Sequence, residues 1–159
     1  MSLLHRIQHP RDALAWEGEM PTQGLYTAGL AGERFLREIK EHGRFMATPC
    51  RNCGLIYLPP RLYCERCFRQ LEEWIEVPPT GHVHTFTILH LDLDGKRLPE
   101  PRVIAFVQVD GTDGGLVHYL GGVEPEQVYI GMPVEAVFKA PEERRGSILD
   151  IAHFRPAVR

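Results

Sequence analysis

The sequence predicts a mainly β protein with an N-terminal α-helix, built as a rubredoxin-like zinc ribbon followed by a five-stranded OB-fold barrel. Three observations predict it. Two Cys-x-x-Cys pairs stand a short spacer apart. A helical apolar pattern runs into them. Beyond residue 78 the apolar period changes to two, with regular Gly and Pro punctuation.

Residues 1–24 are rich in Gly, Pro, His and charge and carry Trp16, which reads as an arm that packs on this protein or on a partner. The segment 25–43 reads as an amphipathic helix. From Leu30 to His42, Phe35, Leu36 and Ile39 share a face, with Arg34, Arg37, Glu38 and Glu41 as polar neighbours. Gly43 is the expected stop. A helix this short needs a surface to pack on.

Residues 44–77 form the predicted ribbon. Cys50-x-x-Cys53-Gly54 and Cys64-x-x-Cys67 can each fold into a knuckle whose backbone amides point at the sulfurs. Gly54 stands where a left-handed backbone is needed. Leu55 to Arg61 can run out as a strand, turn at Pro59-Pro60 and return. Four thiolates suit a closed tetrahedral zinc site and also suit iron. Two redox dithiols on one hairpin, with no βαβ pattern around them, fit less well. A closed site holds structure together and leaves no position for a substrate.

The barrel is expected over 78–159, with strands at His82–Leu91, Arg102–Asp110, Gly115–Leu120, Val134–Ala140 and Ser147–Phe154. Gly111-Thr112-Asp113-Gly114 reads as a hairpin turn. Glu124 to Ile130 reads as a helical insert after the third strand, the order of an OB-fold. Asp92 to Pro101 reads as a mobile loop. Val103, Ala105, Val107 and Val109 alternate with Ile104 and Phe106, so this strand is apolar on both faces. The second face needs a cover, expected from the helix and ribbon of this chain, with another chain as the alternative.

At 159 residues and a formal net charge of −3, the chain suits one or two small domains and is not a polyanion binder as a whole. No stretch approaches a membrane span or a secretory signal, so a soluble, cytoplasmic chain is expected. There is no Walker loop, no Gly-x-Gly-x-x-Gly and no nucleophile elbow around Ser2 or Ser147. His82, His84 and His90 alternate along one strand and read as a half-exposed face; His118 and His153 read as packing or surface residues. These residues point to a binding or scaffolding module. The alternative is a nucleic-acid-binding ribbon and OB-fold, which the net negative charge disfavours.

Phe45, Cys50 to Gly54, Pro59-Pro60-Arg61, Cys64 to Cys67, Trp74 to Val77, Gly81 to Thr87, Gly131 to Val134 and Asp150 to Pro156 together resemble a known family. It is the zinc-ribbon plus OB-fold acyl-CoA-associated family, a domain of unknown function that accompanies thiolase-like proteins. The likeness spans about residues 25–157. It implies a non-catalytic companion subunit in a hetero-oligomer, whose thiolase-like partner carries the catalytic residues. It also implies a CoA thioester bound jointly with that partner. Arg44, Arg51, Arg61, Arg66 and Arg69 gather around the ribbon, and Glu65 is the only acid between positions 44 and 69. Arg suits bidentate phosphate contact, and Arg61, Arg66 and Arg69 are the candidates for the CoA phosphates.

Overall fold

The computed structural model describes residues 27–92 and 94–157. The arm over 1–24, with Trp16, lies outside them. Helix α1 (Gly29–His42) buries Ala31, Phe35 and Ile39, with Leu36 half-buried beside them. It ends as the sequence predicts. Gly43 takes φ 62°, and its N–H donates to the Ile39 carbonyl at 3.0 Å.

The ribbon is a three-stranded antiparallel sheet, with β1 (Phe45–Cys50) between β2 (Leu55–Tyr57) and β3 (Ile75–Val77). All six residues of β1 are buried. The chain after the prolines returns without a regular strand, making only the bridge between Tyr63 and Gln70.

The barrel closes in the order β4-β5-β6-β8-β7, with β4 (Thr80–Leu91), β5 (Arg97–Val109), β6 (Gly115–Leu120), β7 (Pro133–Phe138) and β8 (Ile151–Pro156). β4 also pairs with β7, which completes the ring, and β6 meets β8 in parallel. Three expectations change. β8 starts at Ile151, because Ser147 caps a 3₁₀ turn over Ile148–Asp150 and draws the backbone out of the extended state. The helical insert shrinks to one 3₁₀ turn, Pro125–Gln127, too short to build an α-helical ladder. The Asp92–Pro101 stretch is a hairpin tip, with the start of β5 replacing its second half. The Asp92 side chain accepts from the amides of Asp94 and Lys96 and holds that tip.

One core joins helix, ribbon and barrel. The Phe45 ring is fully buried, 6.1 Å from Phe35, 5.3 Å from Phe138 and 6.5 Å from Phe154, centroid to centroid. The turn between β5 and β6 docks on the ribbon. Asp113 N donates to the Ile56 carbonyl, and Ile56 N donates to the Asp113 carboxylate. A Cβ on Gly114 would lie 2.1 Å from the Leu58 carbonyl oxygen, so only glycine permits this approach.

α1 packs on β1 and on the 3₁₀ turns at 141–143 and 148–150. It therefore covers one end of the barrel and not the outer face of β5. That face carries half-buried Ile104 and Phe106, paired across the sheet with exposed Tyr119 and Val117. The expected internal cover is not supplied by the helix or ribbon, whose own contacts lie elsewhere.

His118 is 5% exposed, its Nε2 lies 3.2 Å from the Ile148 carbonyl oxygen, and its Nδ1 has no partner. Burial, the dominant cause, pushes its pKa below 6.5. The unfolded chain then takes up a proton before the folded one does. Stability is complete above the unfolded value and is lost as pH falls through the folded value. Thermal melts from about pH 7.5 to about 5.5 should show a shallower acid-side loss in His118→Gln than in wild type. Equal slopes would remove His118 as a source of the acid sensitivity.

Candidate metal centre and the arginine-rich knuckle

The four ligand sulfurs lie within 4.8 Å of one another. Cys50 Sγ is 3.6 Å from Cys67 Sγ, and Cys64 Sγ is 3.8 Å from Cys53 Sγ. These separations are far too long for disulfides. They match the edge of a tetrahedron with metal–sulfur bonds of about 2.3 Å, which is about 3.8 Å. The residues thus fit a zinc ion held by Cys50, Cys53, Cys64 and Cys67. This is the one cluster of three or more metal-ligating side chains among the described residues. His82, His84 and His90 do not form another.

Each knuckle is closed by an amide reaching back over the pair. Gly54 N donates to the Cys50 carbonyl at 2.8 Å, and Phe68 N to the Cys64 carbonyl at 2.9 Å. Gly54 and Phe68 occupy equivalent positions, with φ 70° and 57°. The second knuckle therefore holds an aromatic residue where the first has glycine. That conformation costs a non-glycine residue about 1–2 kcal/mol, yet the Phe68 ring is 79% exposed.

At the second knuckle backbone amides face the sulfurs: Arg69 N–H lowers the Cys67 thiol, and Cys67 and Arg66 N–H help lower Cys64. The largest influence on Cys64 is the Tyr57 hydroxyl, 3.2 Å from its sulfur, which brings it to about 6. The same contact pushes Tyr57 up to about 12. Cys53, hydrogen-bonded first to Cys67, is pushed up to about 12. Four negative charges in so small a volume repel one another strongly. A divalent ion removes that conflict.

Around the metal centre the arginines separate into two groups. Arg44 is bonded to Glu38 at 2.8 Å and to Glu76 at 2.9 Å. Arg51 grips Glu73, and Arg61 grips Glu65 while lying over the Tyr57 ring at 5.1 Å. Glu73 and Glu76 are distant in sequence from the arginines they neutralise, whereas Glu38 lies six residues before Arg44; the sequence reading paired none of them. Arg66 and Arg69 are exposed and make no salt bridge among the described residues. Beside them stand exposed Leu62, Tyr63 and Phe68. No helix among the described residues is long and apolar enough to cross a membrane.

Comparison with known proteins gives concordant results. Residues 37–72 match the family model of the ChsH2 rubredoxin-like zinc ribbon domain, and residues 74–139 that of the ChsH2 C-terminal OB-fold domain. A DUF35 domain-containing scaffold protein of Methanocaldococcus jannaschii is 35% identical over 111 residues, covering 69% of this chain and 78% of that protein. A probable enoyl-CoA hydratase alpha subunit of Thermomonospora curvata is 29% identical over 125 residues, and this chain spans only 37% of its length. Among solved structures, a chain of the Ltp2-ChsH2(DUF35) aldolase superposes with a TM-score of 0.58 at 25% identity. It covers 79% of this chain and 94% of that one.

Proposed function

We propose that this chain, which belongs to the DUF35 scaffold family of ChsH2-type zinc-ribbon and OB-fold proteins, is a non-catalytic companion subunit of a thiolase-like acyl-CoA enzyme. The observation that carries the proposal is the apolar outer face of the barrel, where, among the described residues, half-buried Ile104 and Phe106 lie beside exposed Val117 and Tyr119. Contiguous apolar surface of this kind marks an interface. Obligate interfaces are large and apolar, like a core cut in two. The similarity to one chain of an aldolase pair supports the same reading.

The finer part of the proposal concerns the ligand. The second knuckle offers Arg66 and Arg69 without ion-pair partners among the described residues, Arg61 close by, and the exposed rings of Tyr63 and Phe68. Guanidinium groups suit phosphates, and aromatic faces suit a purine. This end of the ribbon would cover the nucleotide part of a CoA thioester held mainly by the partner. The reaction class is cleavage or condensation of a 3-oxoacyl-CoA or aldol-type substrate, carried out by the partner's residues.

Affinity isolation from the native source should return a stable complex with a thiolase-like enzyme that is active only with both chains present. A Val117→Asp, Tyr119→Ala variant should melt like wild type and lose the partner. In the complex, Arg66→Ala with Arg69→Ala should raise KM for the CoA thioester several-fold, roughly, with kcat little changed, as for lost uniform binding. A monomeric chain beside a fully active enzyme would overturn the subunit reading. Unchanged kinetics in the arginine variant would overturn only the phosphate assignment.

A further inference from the structure

We propose that Tyr57 is a positioning residue of the metal centre, whose hydroxyl shields the Cys64 sulfur and makes it the last of the four ligands to react with electrophiles. Tyr57 is 7% exposed and Cys64 is fully buried, and Oη lies 3.2 Å from Sγ. Among the described residues no other hydroxyl reaches a ligand sulfur. The one other polar side chain nearby is Asn52, whose Nδ2 is 3.8 Å from Cys53 Sγ, at the exposed side of the site. Tyr57 is itself held in place. It ends β2, it shares a buried cluster with Leu71, and Arg61, anchored by Glu65, lies over its face.

An O–H pointing at a metal-bound thiolate withdraws electron density from the sulfur and occupies the lone pair an electrophile needs. Cys50 provides an internal comparison. It is 2% exposed, so it is screened from solvent almost as well as Cys64, but it has no hydroxyl partner. Cys53 and Cys67 are only half-buried. The order of reaction should therefore be Cys53 and Cys67 first, Cys50 next and Cys64 last.

The test uses the full-length zinc-loaded chain and iodoacetamide. A thiolate sulfur forms a bond to the acetamide carbon, iodide leaves with the electron pair of the carbon–iodine bond, and the alkylated sulfur releases the metal. Zinc release is followed with a chromogenic chelator, and the alkylated positions are mapped by mass spectrometry during partial reaction. In wild type, Cys64 should be labelled after Cys50. Tyr57→Phe keeps the ring and removes only the oxygen. It should label Cys64 roughly three- to tenfold faster, the size expected when part of one charge-assisted hydrogen bond is lost, while zinc release, set by the half-buried Cys53 and Cys67, changes little. Its Cys64 labelling should advance while Cys50 labelling does not. If Cys50 and Cys64 advance together, the variant has merely loosened the ribbon and the shielding role is overturned. Equal labelling of Cys50 and Cys64 in wild type overturns it as well, whether or not the variant holds zinc.

Discussion

The Cys64→Ser chain should purify without metal and with its ribbon unfolded, whereas wild type should carry about one zinc per chain. The ribbon's own apolar cluster is small: Cys50, Tyr57, Cys64 and Leu71, with Cys53, Leu55 and Cys67 packed against it. Most of what surrounds the cysteines is exposed, including Leu62, Tyr63, Phe68 and the arginines. So little core cannot offset the entropy of ordering the two knuckles. Metal binding, worth on the order of 10 kcal/mol in such sites, does. Cys50→Ser should behave alike, since each sulfur supplies one corner of the same tetrahedron. Elemental analysis with circular dichroism checks this. A folded, reduced, metal-free wild type would remove the structural-metal assignment, and iron at the same stoichiometry would keep the site and change the ion. Loss should not stop at the ribbon, because the β5–β6 turn docks on Ile56 and Leu58.

Phe45→Ala should cost about 3–5 kcal/mol, the usual range for deleting a fully buried ring. That corresponds to a fall in Tm of about 10 °C in a chain of this size. Phe45 starts β1 beside Val77 of β3, and its ring meets Phe35 of α1, Phe138 of β7 and Phe154 of β8. No single element can close over the cavity, because three different units form its walls. Zinc content should stay at wild-type level, since the cysteines sit at the far end of β1. Differential scanning calorimetry with metal analysis separates the two effects. A Tm within about 2 °C of wild type, corresponding to less than roughly 1 kcal/mol, would mean that the ribbon and barrel are not coupled through this ring.

Much of the fold was legible because its signals are local. The spacing of Cys50, Cys53, Cys64 and Cys67 determines the knuckles, since the reach of two residues between sulfurs leaves few geometries. Gly43 ends α1 through its own backbone freedom, and the period of two over β4 to β6 marks an inward and an outward face. The order of strands then leaves the OB-fold as the compact closure, and Phe45, Trp74 and the two Cys pairs carry the family likeness. Where turn chemistry competed with extended propensity, the reading was less accurate. Ser147 and Asp150 form a capping box that delays β8, a local signal that the strand pattern obscured.

Only the tertiary structure decided the electrostatics and the surfaces. Arg44 and Arg51 look unpaired along the chain, but folding brings Glu76 and Glu73 to them, and among the described residues Arg66 and Arg69 make no salt bridge at the ribbon. Tyr57 reads as one more strand residue until the return of the chain brings Cys64 under its hydroxyl. The apolar alternation of β5 requires some cover on each face. Placing α1 over one barrel end, and so leaving Phe106 and Val117 uncovered by it, depends on how whole elements pack. Backbone geometry acts over a few residues and is written in the sequence. Charge pairing and burial act between residues that meet only after the chain has folded.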